Sequence, residues 1–133
     1  MGWRNVALIG VGGALGTLLR YALEVGLGTS ASFPQGIFVA NLVGAFVIGA
    51  FFALLPRFAS GAQPAIRMAV ATGFIGGLTT LSSLALALAL QVTRFGAATA
   101  LLYGASTVGG GLLLAFAGNA GARILVKRVF RAD

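Results

Sequence analysis

The sequence contains no cysteine and no histidine, and it is nearly free of acidic residues. Its only side-chain carboxylates are those of Glu24 and Asp133. Without thiols, no disulfide and no thiolate metal site can form. With two carboxylates and no imidazole, general acid–base catalysis and metal ligation by these groups are nearly excluded. We therefore expect that the protein is not an enzyme.

Charged residues of either sign are also scarce. They make up 8% of the 133 residues, while 59% are hydrophobic and the mean hydropathy is +1.01. A soluble domain carries about a quarter charged residues. A chain of this size with so few charges could not cover its own surface in water. The composition therefore predicts an integral membrane protein whose main solvent is lipid.

Four hydrophobic runs are long enough to cross a bilayer, which takes about 20 helical residues. Pro34, Pro56 and Pro64 fall at the edges of these runs, where proline is tolerated. The first run is not expected to be a cleaved signal peptide, because it is too long and carries Arg20 near its far end. We predict an all-α integral membrane protein with a single four-helix transmembrane domain over residues 1–133. The runs lie near residues 3–27, 33–56, 65–92 and 95–126.

The basic residues predict an orientation in the membrane. With four spans, seven cations fall on the side of the chain ends and two, Arg20 and Arg94, fall on the other. The positive-inside rule then places both termini in the cytoplasm, in a multi-pass protein of the cell (inner) membrane. The C-terminal "KRVFR" is more typical of a topology and lipid-headgroup signal than of nucleic-acid binding, so no nucleic-acid partner is expected. The seven cations are Arg4, Arg57, Arg67, Arg123, Lys127, Arg128 and Arg131.

A polar stretch, "GGLTTLSS" at 76–83, interrupts the third hydrophobic run near its centre. Glycine entropy and competition by the hydroxyls weaken a helix there. A broken helix at the membrane midplane is tolerated only where protein or a water-filled cavity satisfies the freed backbone groups. Such breaks are often ion or substrate sites. We therefore predict a broken third helix, with an ion or substrate site at this stretch.

Three further polar residues lie inside hydrophobic runs. Asn41 in the second run is costly in a membrane unless it is partnered, and its amide can donate to an anion. Ser106 and Thr107 in the fourth run can instead bond back to their own helix, which is common and harmless. Glycines at helix spacing, such as Gly12 and Gly16, indicate close helix contacts. A bundle of four short helices has little interior of its own, so we expect at least a dimer.

Three stretches together resemble the small fluoride-channel family, Fluc or CrcB. They are "GGALGTLLRY" at 12–21, "FVANLVGAFVIGAF" at 38–51 and "GFIGGLTTLSSL" at 73–84, and they fall on spans one, two and three in the family's order. The resemblance covers nearly the whole chain. It implies a passive, fluoride-selective channel that lets cytoplasmic fluoride escape, built as an antiparallel dimer with two pores.

The resemblance also implies roles for particular residues. A structural sodium ion at the dimer centre would be held by the backbone carbonyls of Gly76 and Thr79. Asn41 would correspond to the pore asparagine, and Arg20 to an arginine near the pore entrance. Ser106 would correspond to a pore-side serine on the fourth span, and the hydroxyls of Thr80 and Ser83 would line the anion path. Fluoride would be the transported ion.

One departure from the family concerns the pore. The family has two phenylalanines on the third span, and this chain has Leu81 and Leu84 at those positions. The edge of an aromatic ring is electropositive and can face an anion, whereas leucine offers no such charge. An antiparallel homodimer must also insert both ways round, which calls for an even distribution of cations. A second interpretation is therefore a non-conducting or partner-dependent subunit of a heterodimeric channel. A small multidrug exporter is less favoured, because it needs a carboxylate within the first span and Glu24 is near its end.

The predicted orientation can be tested with single cysteines placed at positions 2 and 132. Both should react with a membrane-impermeant thiol reagent only after the cytoplasmic face is opened to it, because the excess of basic residues holds that side in the cytoplasm. Labelling of either position from outside intact cells would contradict the orientation.

Overall fold

The computed structural model describes residues 2–28, 30 and 32–129, and all regular structure in this part of the chain is helical. Four segments are long and apolar enough to cross a membrane: Trp3–Leu27, Gln35–Arg57, Gln63–Phe95 and Ala97–Arg128. They confirm the four predicted spans. Arg131 and Asp133, and the labelling position 132, lie outside the described residues. The helices are α1 (Trp3–Leu27), α2 (Gln35–Leu54), α3 (Gln63–Arg67), α4 (Gly76–Leu78), α5 (Leu81–Phe95) and α6 (Ala97–Val129).

Two glycines end helices at the turns. Gly28 follows α1 with a φ of 70°, and Gly96 follows α5 with a φ of 90°. Residues with a side chain rarely adopt φ angles in this left-handed region, so glycine suits both positions. Gly96 is the whole connection between α5 and α6. Because the four spans alternate in direction, Gly28, Pro34 and Gly96 lie at one end of the bundle, and Trp3 and the end of α6 lie at the other.

The third span is broken near its middle, as the sequence predicts. Thr79 and Thr80 have extended backbone, with ψ angles of 152° and 119°, between α4 and α5. A second irregularity was not predicted. Residues Met68–Ile75 form a π-helix, which joins α3 to α4. This segment and α1 approach closely at Gly73, where an added Cβ would lie 2.8 Å from the Ile9 carbonyl oxygen.

Small residues allow the spans to approach one another to backbone contact. On α1, a Cβ at Gly16 would collide with the Phe74 carbonyl oxygen of the third span. Between α2 and α6, a Cβ at Gly118 would lie 3.1 Å from the backbone nitrogen of Ala50. Asn119 adds a hydrogen bond across the same contact, from Nδ2 to the Gly49 carbonyl at 3.2 Å. Close backbone approach of this kind is how helices associate in lipid.

The interior of the bundle is small and its outside is apolar. One core cluster contains Leu84, Ala87 and Tyr103, packed against Ile37 and Phe38. Large apolar side chains are widely exposed. Such a surface is unsuited to water and suits a bilayer. Examples are Leu15, Leu18, Leu81, Leu101, Leu113 and Phe116.

The close packing of α1 can be tested with a matched pair of substitutions. Gly16→Ala should destabilise the protein by about 1–3 kcal/mol, because the new methyl group meets backbone that cannot move aside. Gly10→Ala on the same helix should cause no loss, because nothing lies within 4 Å of its added Cβ. Thermal unfolding in detergent measures both. Equal losses of stability from the two variants would contradict this packing.

Candidate ion pathway at the broken third helix

The Asn41 side chain stabilises the break in the third span by hydrogen bonds to its backbone. Its Oδ1 accepts a hydrogen bond from the Thr80 backbone N–H at 2.8 Å, and its Nδ2 donates to the Thr80 carbonyl at 3.2 Å. The amide thus pairs with both backbone groups of one residue. Unpaired backbone groups are costly in a membrane interior. Asn41 therefore supplies from α2 the partners that the broken helix lacks, and one Nδ2 proton remains for another acceptor.

Thr80 also caps the helix that follows the break. Its Oγ1 accepts from the Ser83 backbone N–H at 3.1 Å, which is the usual geometry of an N-cap. The same hydroxyl donates to Ser83 Oγ at 3.1 Å. Ser83 Oγ therefore receives a hydrogen bond, and its own proton is available to be donated.

These bonds divert two N–H groups from their helical acceptors. In a regular helix the Thr80 N–H would bond to the Gly76 carbonyl, and the Ser83 N–H to the Thr79 carbonyl. Here they bond to Asn41 and to the Thr80 hydroxyl instead. The Gly76 and Thr79 carbonyl oxygens consequently lose their helical donors. Gly76 is exposed on the surface of the chain, where an added Cβ would find only the Ala71 carbonyl oxygen, at 3.8 Å.

Arg20 of α1 reaches the same break from the other side. Its Nε donates to the Gly77 carbonyl at 3.3 Å, and its Nη1 lies 3.5 Å from Ser83 Oγ. Nη1 is also 3.6 Å from Glu24 Oε1, one helical turn further along α1. A cation is favourable beside the carbonyl end of the α4 segment. The structure therefore brings Arg20, Asn41, Thr80 and Ser83 together around the break.

A groove of about 340 Å³ runs beside the break, between α2, the third span and α6. Polar groups on its wall come from Asn41, Thr79, Thr80 and Thr107, and the rest of the lining is apolar. Leu84 lines the groove and is buried, whereas Leu81 also lines it and is 79% exposed. The two leucines therefore differ in how much a larger side chain would disturb the fold.

On α6, the hydroxyl side chain that lines the groove is that of Thr107, and Ser106 lies outside the groove. The Ser106 hydroxyl donates to the Tyr103 carbonyl at 3.0 Å, and Ser106 is exposed and does not line the groove. Thr107 donates to the same carbonyl at 2.7 Å and is buried in the groove wall. Both hydroxyls thus bond back to their own helix. Thr107 lies one helical turn before Gly111, so the two share the face of α6 that lines the groove.

A second cavity, of about 410 Å³, lies at the end of the bundle that holds Ser30 and Pro34, and we call it the vestibule. Glu24, Ser30, Ser83 and Arg94 contribute its polar lining. In the described part of the chain, no three histidine, cysteine or acidic side chains come together as a metal site. A cation bound near the break would therefore depend on carbonyl and hydroxyl oxygens.

Comparison with known proteins identifies one family. The family described as CrcB-like protein, Camphor Resistance (CrcB), matches residues 7–119. The chain is 43% identical over 108 residues to the protein named fluoride-specific ion channel FluC 1 of Staphylococcus aureus (strain NCTC 8325 / PS 47), covering 81% of this chain and 88% of that one. It is 40% identical over 119 residues to fluoride-specific ion channel FluC of Pseudomonas paraeruginosa (strain DSM 24068 / PA7), covering 87% and 91%.

Removing the Asn41 amide should be more damaging than removing the other interhelical asparagine. Asn41→Ala leaves both backbone groups of Thr80 without partners, at about 1–3 kcal/mol each. Asn119→Ala removes one hydrogen bond to the carbonyl of a helical residue, so about 1 kcal/mol is expected. Thermal unfolding in detergent compares the two. A loss for Asn41→Ala no larger than that for Asn119→Ala would contradict the role of Asn41 in closing the break.

Proposed function

Since this chain belongs to the CrcB-like family, we propose that it is a subunit of a passive, fluoride-selective channel that lets fluoride leave the cytoplasm. The observation that carries the proposal is the break at Thr79–Thr80, which lies beside a groove between the spans. The relatives are named ion channels, so the expectation that the protein is not an enzyme is confirmed. The four spans and the family make it a multi-pass membrane protein.

The anion path in this proposal follows the donors around the break. An anion that leaves water needs donors to replace its lost hydration. Ser83 Oγ already accepts from Arg20 and from Thr80, so its own proton points toward a further acceptor. Asn41 keeps one free Nδ2 proton at the groove. Arg20 supplies positive charge near the entrance. Ser106 is exposed on α6, so its hydroxyl is accessible to a path shared with a second subunit.

We also propose a structural sodium ion held by the Gly76 and Thr79 carbonyls. Carbonyl oxygens are suitable ligands for a hard cation. The fit to these residues rests on the diverted N–H groups, which leave the two carbonyls without their helical donors. When bound, the ion would take the place of the missing N–H donors at these two oxygens and hold the broken backbone in place. Gly76 is exposed on the single chain, so the site is accessible to a second subunit.

A second, similar four-span subunit completes the channel in this proposal, in antiparallel orientation. The partner is either another copy of this chain or a related chain of opposite orientation. Support comes from the groove, which opens to the outside of the single chain beside the exposed Leu81. The bias of basic residues favours one fixed orientation, with both termini in the cytoplasm and the protein in the cell (inner) membrane.

The alternative function is a subunit that conducts poorly or only with a partner. Leu81 and Leu84 on the groove wall favour it, because leucine cannot replace the hydration of an anion. A small multidrug exporter gains no support, since Glu24 is paired with Arg20 close to the end of α1.

Fluoride efflux from liposomes that contain the purified protein tests both functions. Leu81→Phe should raise the efflux rate, on the order of tenfold, because the ring edge adds a positive group to the path. Leu113→Phe, at another highly exposed leucine outside the groove, is the matched control and should leave the rate unchanged. Leu84→Phe is less suitable, because Leu84 is only 5% exposed and a larger ring must overpack the core.

Two results would contradict these proposals. If neither the unmodified protein nor Leu81→Phe moves fluoride, the channel proposal fails for this chain alone and the non-conducting subunit is favoured. If the unmodified protein conducts and Leu81→Phe brings no improvement, the channel stands and the argument for a weakened path is wrong. If the unmodified protein conducts, Asn41→Asp should abolish conduction, since a carboxylate repels the anion and the side chain loses its donor to the Thr80 carbonyl.

A further inference from the structure

Glu24 has the one side-chain carboxylate in the described part of the chain, and its position is tightly fixed. It lies on α1 one helical turn after Arg20. The beginning of α2 packs directly on its backbone, because a Cβ at Gly36 would lie 2.9 Å from the Glu24 nitrogen and 3.0 Å from the Leu23 carbonyl oxygen. The Glu24 backbone is therefore held in place, and the residue lines the wall of the vestibule.

The vestibule leads toward the break in the third span. It is lined by Arg94 near the C-terminal end of α5 and by Ser83 in the first turn of that helix. The two are eleven positions apart along the helix, which corresponds to about 16 Å. Glu24 and Ser30 line the same cavity. An anion that moved along the vestibule to Ser83 would pass the carboxylate.

Glu24 and Ser83 lie beside the same guanidinium nitrogen. Arg20 Nη1 is 3.6 Å from Glu24 Oε1 and 3.5 Å from Ser83 Oγ, and both distances exceed the 2.7–2.9 Å of a strong charge-assisted hydrogen bond. Glu24 Oε1 is buried and accepts no hydrogen bond from the described residues. The carboxylate therefore offsets the charge of Arg20 close to the proposed anion path.

We propose that Glu24 sets the anion affinity of the vestibule by offsetting the charge of Arg20 beside Ser83. An anion channel must bind its ion well enough to admit it and weakly enough to release it. With Glu24 charged, Arg20 attracts fluoride only weakly at Ser83. Without the Glu24 charge, nothing offsets the positive charge of Arg20, and Arg20 attracts fluoride at Ser83 more strongly. The proposal rests on the proposed function, because it concerns the same path.

Neutral and charged substitutions at Glu24 separate the charge from the shape of the side chain. Glu24→Gln keeps the shape, and the fluoride concentration that half-saturates efflux should fall about fivefold, the effect of one unit charge at roughly 8 Å in a partly hydrated cavity. Glu24→Asp keeps the charge and should stay within about twofold of the unmodified protein. Arg4→Gln, in the first turn of α1 at the opposite end of the bundle, should change nothing.

A binding measurement makes the test independent of transport. Broadening of the ¹⁹F resonance of free fluoride by purified protein in detergent should half-saturate about fivefold lower for Glu24→Gln than for Glu24→Asp. If Glu24→Gln fails to fold, Glu24→Asn against Glu24→Asp gives the same comparison. If efflux is absent from all variants but the shift in fluoride binding is present, the proposed function fails and the role of Glu24 stands. The inference is overturned if Gln and Asp variants half-saturate alike, whether both match the unmodified protein or both are weakened.

Discussion

The pair of hydrogen bonds between the Asn41 side chain and the Thr80 backbone is the interaction on which the rest of this structure depends. A transmembrane helix normally satisfies every backbone group within itself, and lipid offers no substitute. A break at midspan is stable here because α2 supplies one donor and one acceptor at the required place. The diversion of the Thr80 N–H frees the Gly76 carbonyl, and the extended Thr80 presents its hydroxyl to cap α5.

The glycines of the first and third spans hold this arrangement in register. Backbone contact of α1 with the third span brings Arg20 to the Gly77 carbonyl and to Ser83. A larger residue at Gly16 would separate the two spans and withdraw the guanidinium. The polar groups at the break therefore rely on apolar packing several residues away. This dependence explains why glycine stands at contacts such as Gly16 and Gly73.

Much of the fold follows from the sequence, because membrane spans depend on length and hydropathy alone. The four spans follow in this way, and the break after "GGL" follows from the glycines and hydroxyls around it. The π-helix at Met68–Ile75 has no such local signal, because it arises where α1 and the third span approach each other. Asn41 was expected to donate to an anion, and the structure shows both of its amide atoms on Thr80. The sequence contained the residue but not its partner, which lies 39 positions away. Likewise, Thr107 and Ser106 are adjacent in sequence and only the rotation of α6 decides which one lies in the groove.

An experimental structure of the protein in lipid nanodiscs with sodium present, resolved well enough to show carbonyl oxygens, would test the pairing of Asn41 with Thr80. We expect a third span interrupted at Thr79–Thr80, the Asn41 amide paired with both backbone groups of Thr80, and density for one ion against the Gly76 and Thr79 carbonyls where two subunits meet. A continuous helix through residues 76–84, with Asn41 turned away from Thr80 and no density at those carbonyls, would contradict this expectation.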